Sequence, residues 1–478
     1  MPDVPPDPQG GTDDSVLASV RRRLLRGSSW VLLARIVGIP LGLFINAMLA
    51  RLLTQKQFGT YFTSFTLVIV GSLVCQLGLD RAVVRLVSQS LGVGQPGRAR
   101  HAIRRVLGIG SVAGVALGGL FAFVLGPWYG HHVAHSELVA TVAPITGGWL
   151  IAFTIQSLFV ETFRGLQKFA RATIYDTVIV DISLATVFGV MYAVGARTAL
   201  AQVIAISAGV TAVVAAIAGV LLRTNLLGID GEHRLERNEI FDIAWPSLLT
   251  NVSIYFLGSG VDLLVLGAFR PQSEVALYGA AARIVTLVAT PLWILRGVLP
   301  PMISELHAQG RREELERTLR AGATLAGLPS FAILVVFLVL GRSVMGHLYR
   351  PAYAQAATIL AILSFGRMVA VWAGACGVTL MMTGHQKAMM VVTVCTGLLS
   401  VALGMSVAGR FGGVGVAIAT MSVAIVQNGL QLALAKRYVG VWTHMEFSPR
   451  ALKSFFRRKP NAAAQSDAGP GGAGDAGS

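Results

Sequence analysis

The chain has 478 residues, 54% of them hydrophobic and only 13% charged, with a formal net charge of +16. A soluble domain carries nearer a quarter charged residues, and nothing between the apolar runs is long enough to fold alone, so a soluble architecture is excluded. In a soluble protein the positive charge would point to nucleic acid. Here it lies in short loops beside apolar spans, where it sets topology and meets anionic headgroups, so nucleic acid is not an expected partner.

Residues 1–27 begin rich in Pro and Asp and carry Arg21-Arg22-Arg23 and Arg26 near their end. They are expected to form a disordered, basic N-terminus in the cytoplasm. The following apolar run is too long for a signal-peptide core and ends on no small-residue cleavage site, so it is read as the first, uncleaved span. Runs long enough to cross a hydrocarbon core fall at 28–50, 59–79, 106–128, 141–163, 174–194, 201–222, 243–267, 277–298, 321–341, 357–381, 388–408 and 414–435. The predicted fold is therefore an all-α integral membrane protein of about twelve transmembrane helices in two six-helix lobes. The N-lobe is 28–222, a cytoplasmic linker 223–242, the C-lobe 243–435, and a basic, then disordered, cytoplasmic tail 436–478.

Placing both termini inside puts 28 Lys and Arg on inner segments and seven on outer ones, a strong positive-inside bias. The inner loops are then 80–105, which holds six arginines, and 223–242. Trp30, Trp128, Tyr129 and Trp245 fall at span ends, where amphipathic rings favour the interface. Gly110, Gly114 and Gly118 mark one helical stripe suited to close packing. Cys75, Cys376 and Cys395 lie inside spans without framework spacing and read as small core residues.

An internal repeat follows. At an offset of 217, Leu49, Gln55 and Tyr61 fall on Leu266, Gln272 and Tyr278, while Ala50 and Gly59 fall on Gly267 and Ala276. Six spans per half preserve orientation, so the halves are related by an axis along the membrane normal, with substrate expected between them.

Charges within lipid cost about 2.5–3.5 kcal/mol each on insertion scales and need a reason. Arg35, Arg283, Arg296 and Arg367 fall within spans. A cationic lumen for an anionic cargo is one reading, because the guanidinium fork matches phosphate. Buried ion pairs with Glu161, Asp176, Asp181 or Asp262 are the plainer one, and Arg296, near a span end, is placed to snorkel. Asp181, Asp176 and Asp262 are coupling sites or structural partners. On an ideal helix Asp176 and Asp181 stand about 140° apart, so no paired-carboxylate site is expected there. Trp149 reads as core packing in preference to sugar stacking. His131 and His135 have metal-ligand spacing but no third ligand type beside them; neither a metal nor a cofactor is expected.

These segments together resemble the bacterial oligosaccharide flippases of polysaccharide biosynthesis, the Wzx-like family of the MOP exporter superfamily, over about residues 24 to 436. The resemblance rests on Ala34-Arg35-Ile36-Val37-Gly38, Leu49-Ala50-Arg51-Leu52-Leu53 and Phe58-Gly59-Thr60-Tyr61 in the first half. In the second it rests on Val261-Asp262-Leu263, Tyr278-Gly279-Ala280-Ala281-Ala282-Arg283, Pro301, the charged stretch 311–320, Tyr353 and Gly413-Val414-Gly415-Val416-Ala417. It implies two lobes around a central cavity, and a polyprenyl-diphosphate-linked oligosaccharide carried from inner to outer leaflet of the cytoplasmic membrane by alternating access. It places Arg35, Asp262 and Arg283 in the family's motifs, and Arg35, Arg283, Arg367 and Arg296 become the candidate substrate ligands. Expected partners are that lipid-linked cargo and membrane lipids, with a polysaccharide polymerase and glycosyltransferases as protein candidates.

A lipid II flippase, a multidrug or ion-coupled exporter of the same fold, and an inactive scaffold are the alternatives. An enzyme ranks last, because the outer loops 129–140 and 342–356 are short and hold no catalytic pairing.

Overall fold

The computed structural model describes residues 37–446 except 197, 227–238, 246, 249–250 and 252–260. Every regular element among them is a helix. That is the expected solution in lipid, where backbone polar groups must be satisfied within their own segment. Arg35, Trp30, the N-terminal segment and the tail from 447 onward lie outside the described residues.

In the first half α1 is Val37–Leu52 and α2 is Gln55–Cys75, started by a Thr54–Gln57 capping box. Next come α3 Leu79–Gly92, α4 Pro96–His132, α5 Glu137–Gly165, α6 Phe169–Ala193 and α7 Leu200–Leu226. The predicted loop 80–105 is thus largely helical. Leu79, Ala82, Val83, Leu86 and Val87 give α3 one buried face, while Arg81 and Arg85 stay exposed. An amphipathic period, not loop polarity, governs this segment. The predicted glycine stripe on α4 packs against α5, with Gly110 facing Leu158, Gly114 facing Thr154 and Gly118 facing Ile151.

In the second half α8 is Val261–Phe269, α9 Gln272–Ala308 and α10 Arg312–Leu348. A 3-10 turn, Pro351–Ala356, leads to α11 Ala357–Ala373, short α12 Cys376–Met382 and long α13 Gln386–Val439. Nine helices among the described residues are long and apolar enough to span a membrane. Counting α13 as two, with α1 and α8, gives the two six-helix lobes predicted.

α13 is broken at Gly412, where φ is 57°, a region that favours glycine. Glu274 Oε1 accepts a hydrogen bond from Gly413 N at 2.6 Å. Arg270 donates to Ala408 O and Arg410 O, both at 3.1 Å. An anion thus caps the new helix start and a cation the old helix end, as the helix dipole favours.

The lobes meet where the repeat halves correspond. A Cβ on Gly59 of α2 would lie 1.6 Å from Gln272 O of α9, so the backbones touch there. Thr63 Oγ1 donates to Gln272 Oε1 at 2.8 Å, and Gln55 Nε2 to Ser273 O at 3.2 Å. Beside this crossing Phe58 packs on Phe62 at 4.5 Å between ring centres, and on Tyr353 at 6.1 Å. These fully buried rings plug the α1–α2 loop end of the molecule.

Two segments and one cysteine differ in detail from the sequence reading. Residues 239–245, which straddle the predicted linker boundary, are helical and pack against the N-lobe: Ile240 and Ala244 are buried with Leu79 and Ile103, and Arg98 pairs with Glu239 at 2.6 Å. Residues 441–446, assigned to the tail, are strapped to the C-lobe by Thr443 Oγ1 to Ala373 O at 2.6 Å and Met445 N to Trp372 O at 2.9 Å. Unpaired backbone groups at the α11–α12 break supply those acceptors, a signal that composition does not carry. Cys395 is exposed, unlike buried Cys75 and Cys376, because it lies on the outward side of its helix.

Candidate functional site

A cavity of about 480 Å³ opens between the lobes, with walls from α1, α2, α5 and α6 and from α9 of the opposite lobe. Gly38 and Gly42 keep the α1 wall low, and Ile39, Leu43, Ile45, Tyr61, Phe65 and Leu184 make much of the lining apolar. Its charged groups among the described residues are Arg164, Asp176, Asp181 and Arg283.

Arg283 comes from α9, and its guanidinium lies over the rings of Phe65 and Phe62, at 5.2 and 5.9 Å from their centres. The cation is thereby held by aromatic faces without being neutralised. Arg283 makes no ion pair among the described residues. Its two acidic neighbours in the cavity come from the opposite lobe.

Asp176 and Asp181 both line this one cavity, which corrects the expectation that they point apart. Asp176 sits in a π-helical turn, Ile174–Val178, within α6. That wider turn underwinds the helix, so the 140° of an ideal α-helix does not apply. Asp181 approaches Gly38 on α1, whose Cβ position lies 3.8 Å from Asp181 Oδ2.

The sequence alone does not point to Arg164, because an arginine at the inner end of a span reads as a topology-setting charge. In the structure its Nη2 donates to Asp176 Oδ2 at 2.7 Å, and its Nη1 pairs with Glu161 one turn earlier. The Glu161-x-x-Arg164 spacing was the available signal. With about two-fifths of Arg164 and Asp176 exposed, their pair is worth no more than about 1 kcal/mol. The two arginines and two aspartates balance formally. The described part of the lining is therefore amphoteric.

The other predicted residues lie elsewhere. Asp262 is buried in α8 and accepts from Tyr278 Oη at 2.8 Å and Thr420 Oγ1 at 3.0 Å. Arg367 is within Coulombic reach of Asp262 and Tyr278. Arg296 Nη2 donates to Gly374 O at 3.3 Å, at the break between α11 and α12. Trp149 is buried, donates to Thr211 Oγ1 at 3.2 Å and packs on Tyr61 and Phe65. It is a core residue behind the cavity wall.

The profile of the polysaccharide biosynthesis protein family matches residues 24–307, and that of the MatE family matches residues 246–406. The chain belongs to the polysaccharide biosynthesis protein family. A search of curated proteins returns no match. Among solved structures this family member is similar to an inward-facing MATE multidrug resistance transporter of the MOP superfamily, with TM-score 0.68 and 13% identity over 86% of this chain and 98% of that one. It is similar to the lipid II flippase MurJ in an inward closed conformation, with TM-score 0.67 and 14% identity over 84% of this chain and 87% of that one. A MOP superfamily transporter from Pyrococcus furiosus gives TM-score 0.56 at 14% identity, over 87% and 95% of the two chains. The chain thus has the two-lobed fold of these transporters and is a multi-pass membrane protein.

Proposed function

We propose that this protein is a flippase for a polyprenyl-diphosphate-linked oligosaccharide. It carries the cargo from inner to outer leaflet of the bacterial cytoplasmic membrane for surface polysaccharide assembly, with both termini inside. The observation behind this reading is a cavity between two lobes that combines apolar walls with Arg283, a cation left without an ion-pair partner among the described residues. An amphiphilic anion needs that combination: apolar surface for the prenyl chain and a guanidinium fork for the diphosphate. Membership of a polysaccharide biosynthesis family supports the cargo class. Arg35 precedes the cavity-lining Gly38 by three residues and is assigned with Arg283 to the diphosphate. Arg367 and Arg296, in the C-lobe, are assigned to cargo in the other half of the cycle, and Asp262 to positioning Tyr278. The lobes touch at the α1–α2 loop end, which the distribution of basic residues makes the outer face. The described state is accordingly the one that loads from inside.

The test is transport in proteoliposomes holding a fluorescent undecaprenyl-diphosphate oligosaccharide. An impermeant enzyme that cleaves only the exposed leaflet should reach all of the lipid when the protein is present, and half of it without protein. Cleavage stopping at half in both cases would sink the proposal.

A second reading is an exporter of cationic amphiphiles. Asp176, Asp181, Tyr61 and Phe65 favour it, since carboxylates and aromatic faces attract cations. Protection of cells from dye cations by the overproduced protein, with no lipid-linked sugar moved, would decide for it.

A further inference from the structure

Resting on that reading of the cavity, we propose that Arg164 is a second diphosphate-binding arm, held by Asp176 in the empty cavity and passed to the cargo when it loads.

Arg164 stands at the end of α5 and Asp176 in the π-turn of α6, and both line the cavity that Arg283 enters from the opposite lobe. The contact Arg164 makes to Asp176 is a single hydrogen bond from one amine nitrogen, Nη2, at 2.7 Å. Its other amine nitrogen is held by Glu161 on its own helix. One carboxylate thus anchors the guanidinium from behind, and the second meets it from across the α5–α6 gap. The second is the exchangeable one. Asp176 is 41% exposed at its side chain, so water competes for it already, and it sits on a turn whose hydrogen-bond pattern differs from the helix on either side. π-turns of this kind often lie at functional sites.

A diphosphate is the better partner for the same fork. It offers several oxygens and more charge than one carboxylate, and arginine binds phosphate through two parallel hydrogen bonds. Arg283, fixed on Phe62 and Phe65, would engage the cargo from the opposite wall. A diphosphate between Arg164 and Arg283 then ties α5 of one lobe to α9 of the other. Asp176 acts as the stand-in anion that keeps Arg164 placed and solvated while the cavity is empty. Its own carboxylate is a competitor for the cargo, so removing it and removing Arg164 have effects of opposite sign. A purely structural ion pair predicts the same sign for both.

The experiment measures binding of farnesyl diphosphate, a short prenyl diphosphate, to the purified full chain in detergent, with farnesol and inorganic pyrophosphate as comparison probes. Arg164→Ala should weaken farnesyl diphosphate binding about tenfold, and Arg164→Lys by less, because a point charge replaces the fork. Asp176→Asn should tighten it by about two- to fivefold, the range set by a partly exposed ion pair. Farnesol binding should be the same in all variants, which also reports that they are folded. Should Arg164→Ala fail to fold, the Lys and Asn variants carry the same opposed signs. Equal weakening by both substitutions, or none by either, overturns this inference and leaves the flippase reading standing. Pyrophosphate binding as tightly as farnesyl diphosphate overturns it in favour of a soluble anion. A wild-type chain that binds farnesyl diphosphate no better than farnesol overturns the diphosphate reading itself.

Discussion

Arg350 donates from its guanidinium to the backbone carbonyl of Arg51, while Arg51 donates from Nη2 to His347 O at 2.8 Å. Each arginine therefore caps the C-terminus of a helix in the opposite lobe: Arg350 that of α1, Arg51 that of α10. A cation at a helix C-terminus is worth about 0.3–1 kcal/mol at an exposed site. Arg51 is further held by Tyr192, 5.6 Å from its ring centre. This reciprocal clasp closes the α1–α2 loop end without any carboxylate. Arg350→Ala should open that end about two- to fivefold more often, given the same energy range. A cysteine at cavity-lining Asn46, labelled in intact cells by an impermeant maleimide, reads this as a faster rate. An unchanged rate would remove the clasp from the closing contacts.

The Gly59 crossing makes a sharper demand. A Cβ there has nowhere to go, since Gln272 O is backbone and 1.6 Å away. Gly59→Ala must push α2 off α9, and overpacking of this kind costs about 1–3 kcal/mol. The closed end should destabilise relative to the open one, with faster labelling at Asn46→Cys and reduced export at normal membrane levels. Protein that exports and labels as wild type would show that the lobes separate at this point at no cost.

The proposed orientation has its own check. Gly94 lies in the exposed turn between α3 and α4, with φ of 70°, in a position that the charge distribution makes cytoplasmic. Gly94→Cys is expected to resist impermeant maleimide in intact cells and to react in opened ones. Labelling in intact cells would invert the topology.

Trp149 separates packing from sugar recognition. Its indole is 2% exposed and spends its N–H on Thr211. Trp149→Phe should lower thermal stability, since it opens a space and leaves Thr211 without its donor; the two losses together cost about 1–3 kcal/mol. Transport per folded molecule should remain near wild type. Normal stability with lost transport would make it a cargo contact.

The long apolar runs made the helices legible, and the offset of 217 marked the starts of α2 and α9 as equivalent; that these two helices cross, with Gln55 on Ser273 and Gly59 on Gln272, comes from the structure alone. The cavity was only half legible. Arg283 stood out because charge in a span is costly. Arg164 did not, because a span-end arginine looks the same whether it faces headgroups or a cavity. Asp176 was misplaced because ideal helical geometry cannot foresee a π-turn whose sequence, Ile174-Tyr175-Asp176-Thr177-Val178, has no Pro or Gly to mark it. The strap 441–446 is held by backbone acceptors at the end of α11 and by Glu316, Arg320 and Thr324 of α10, long-range partners that no local pattern in the strap announces.

That misplacement bears on energy coupling. Asp176 and Asp181 both face one cavity, so their spacing along α6 does not decide against proton coupling. The charge moved over the whole cycle does. Arg164, Arg283, Asp176 and Asp181 are fixed to the protein, so whatever field they cross with the loaded carrier they recross with the empty one. Over a full cycle only the cargo moves charge. A diphosphate diester carries about two negative charges, and each is worth about 2.3 kcal/mol per 100 mV, so an interior-negative potential favours export by roughly 4–5 kcal/mol. Asp181→Asn changes how that work divides between the loaded and empty steps and leaves the total alone. Proteoliposomes with a K⁺–valinomycin potential and no pH or Na⁺ gradient should therefore flip lipid-linked sugar faster than unpolarised ones, and Asp181→Asn should keep that response, with at most a changed rate. Flipping that ignores the potential, follows a pH gradient and is lost in Asp181→Asn would show instead that Asp181 carries a proton on the return.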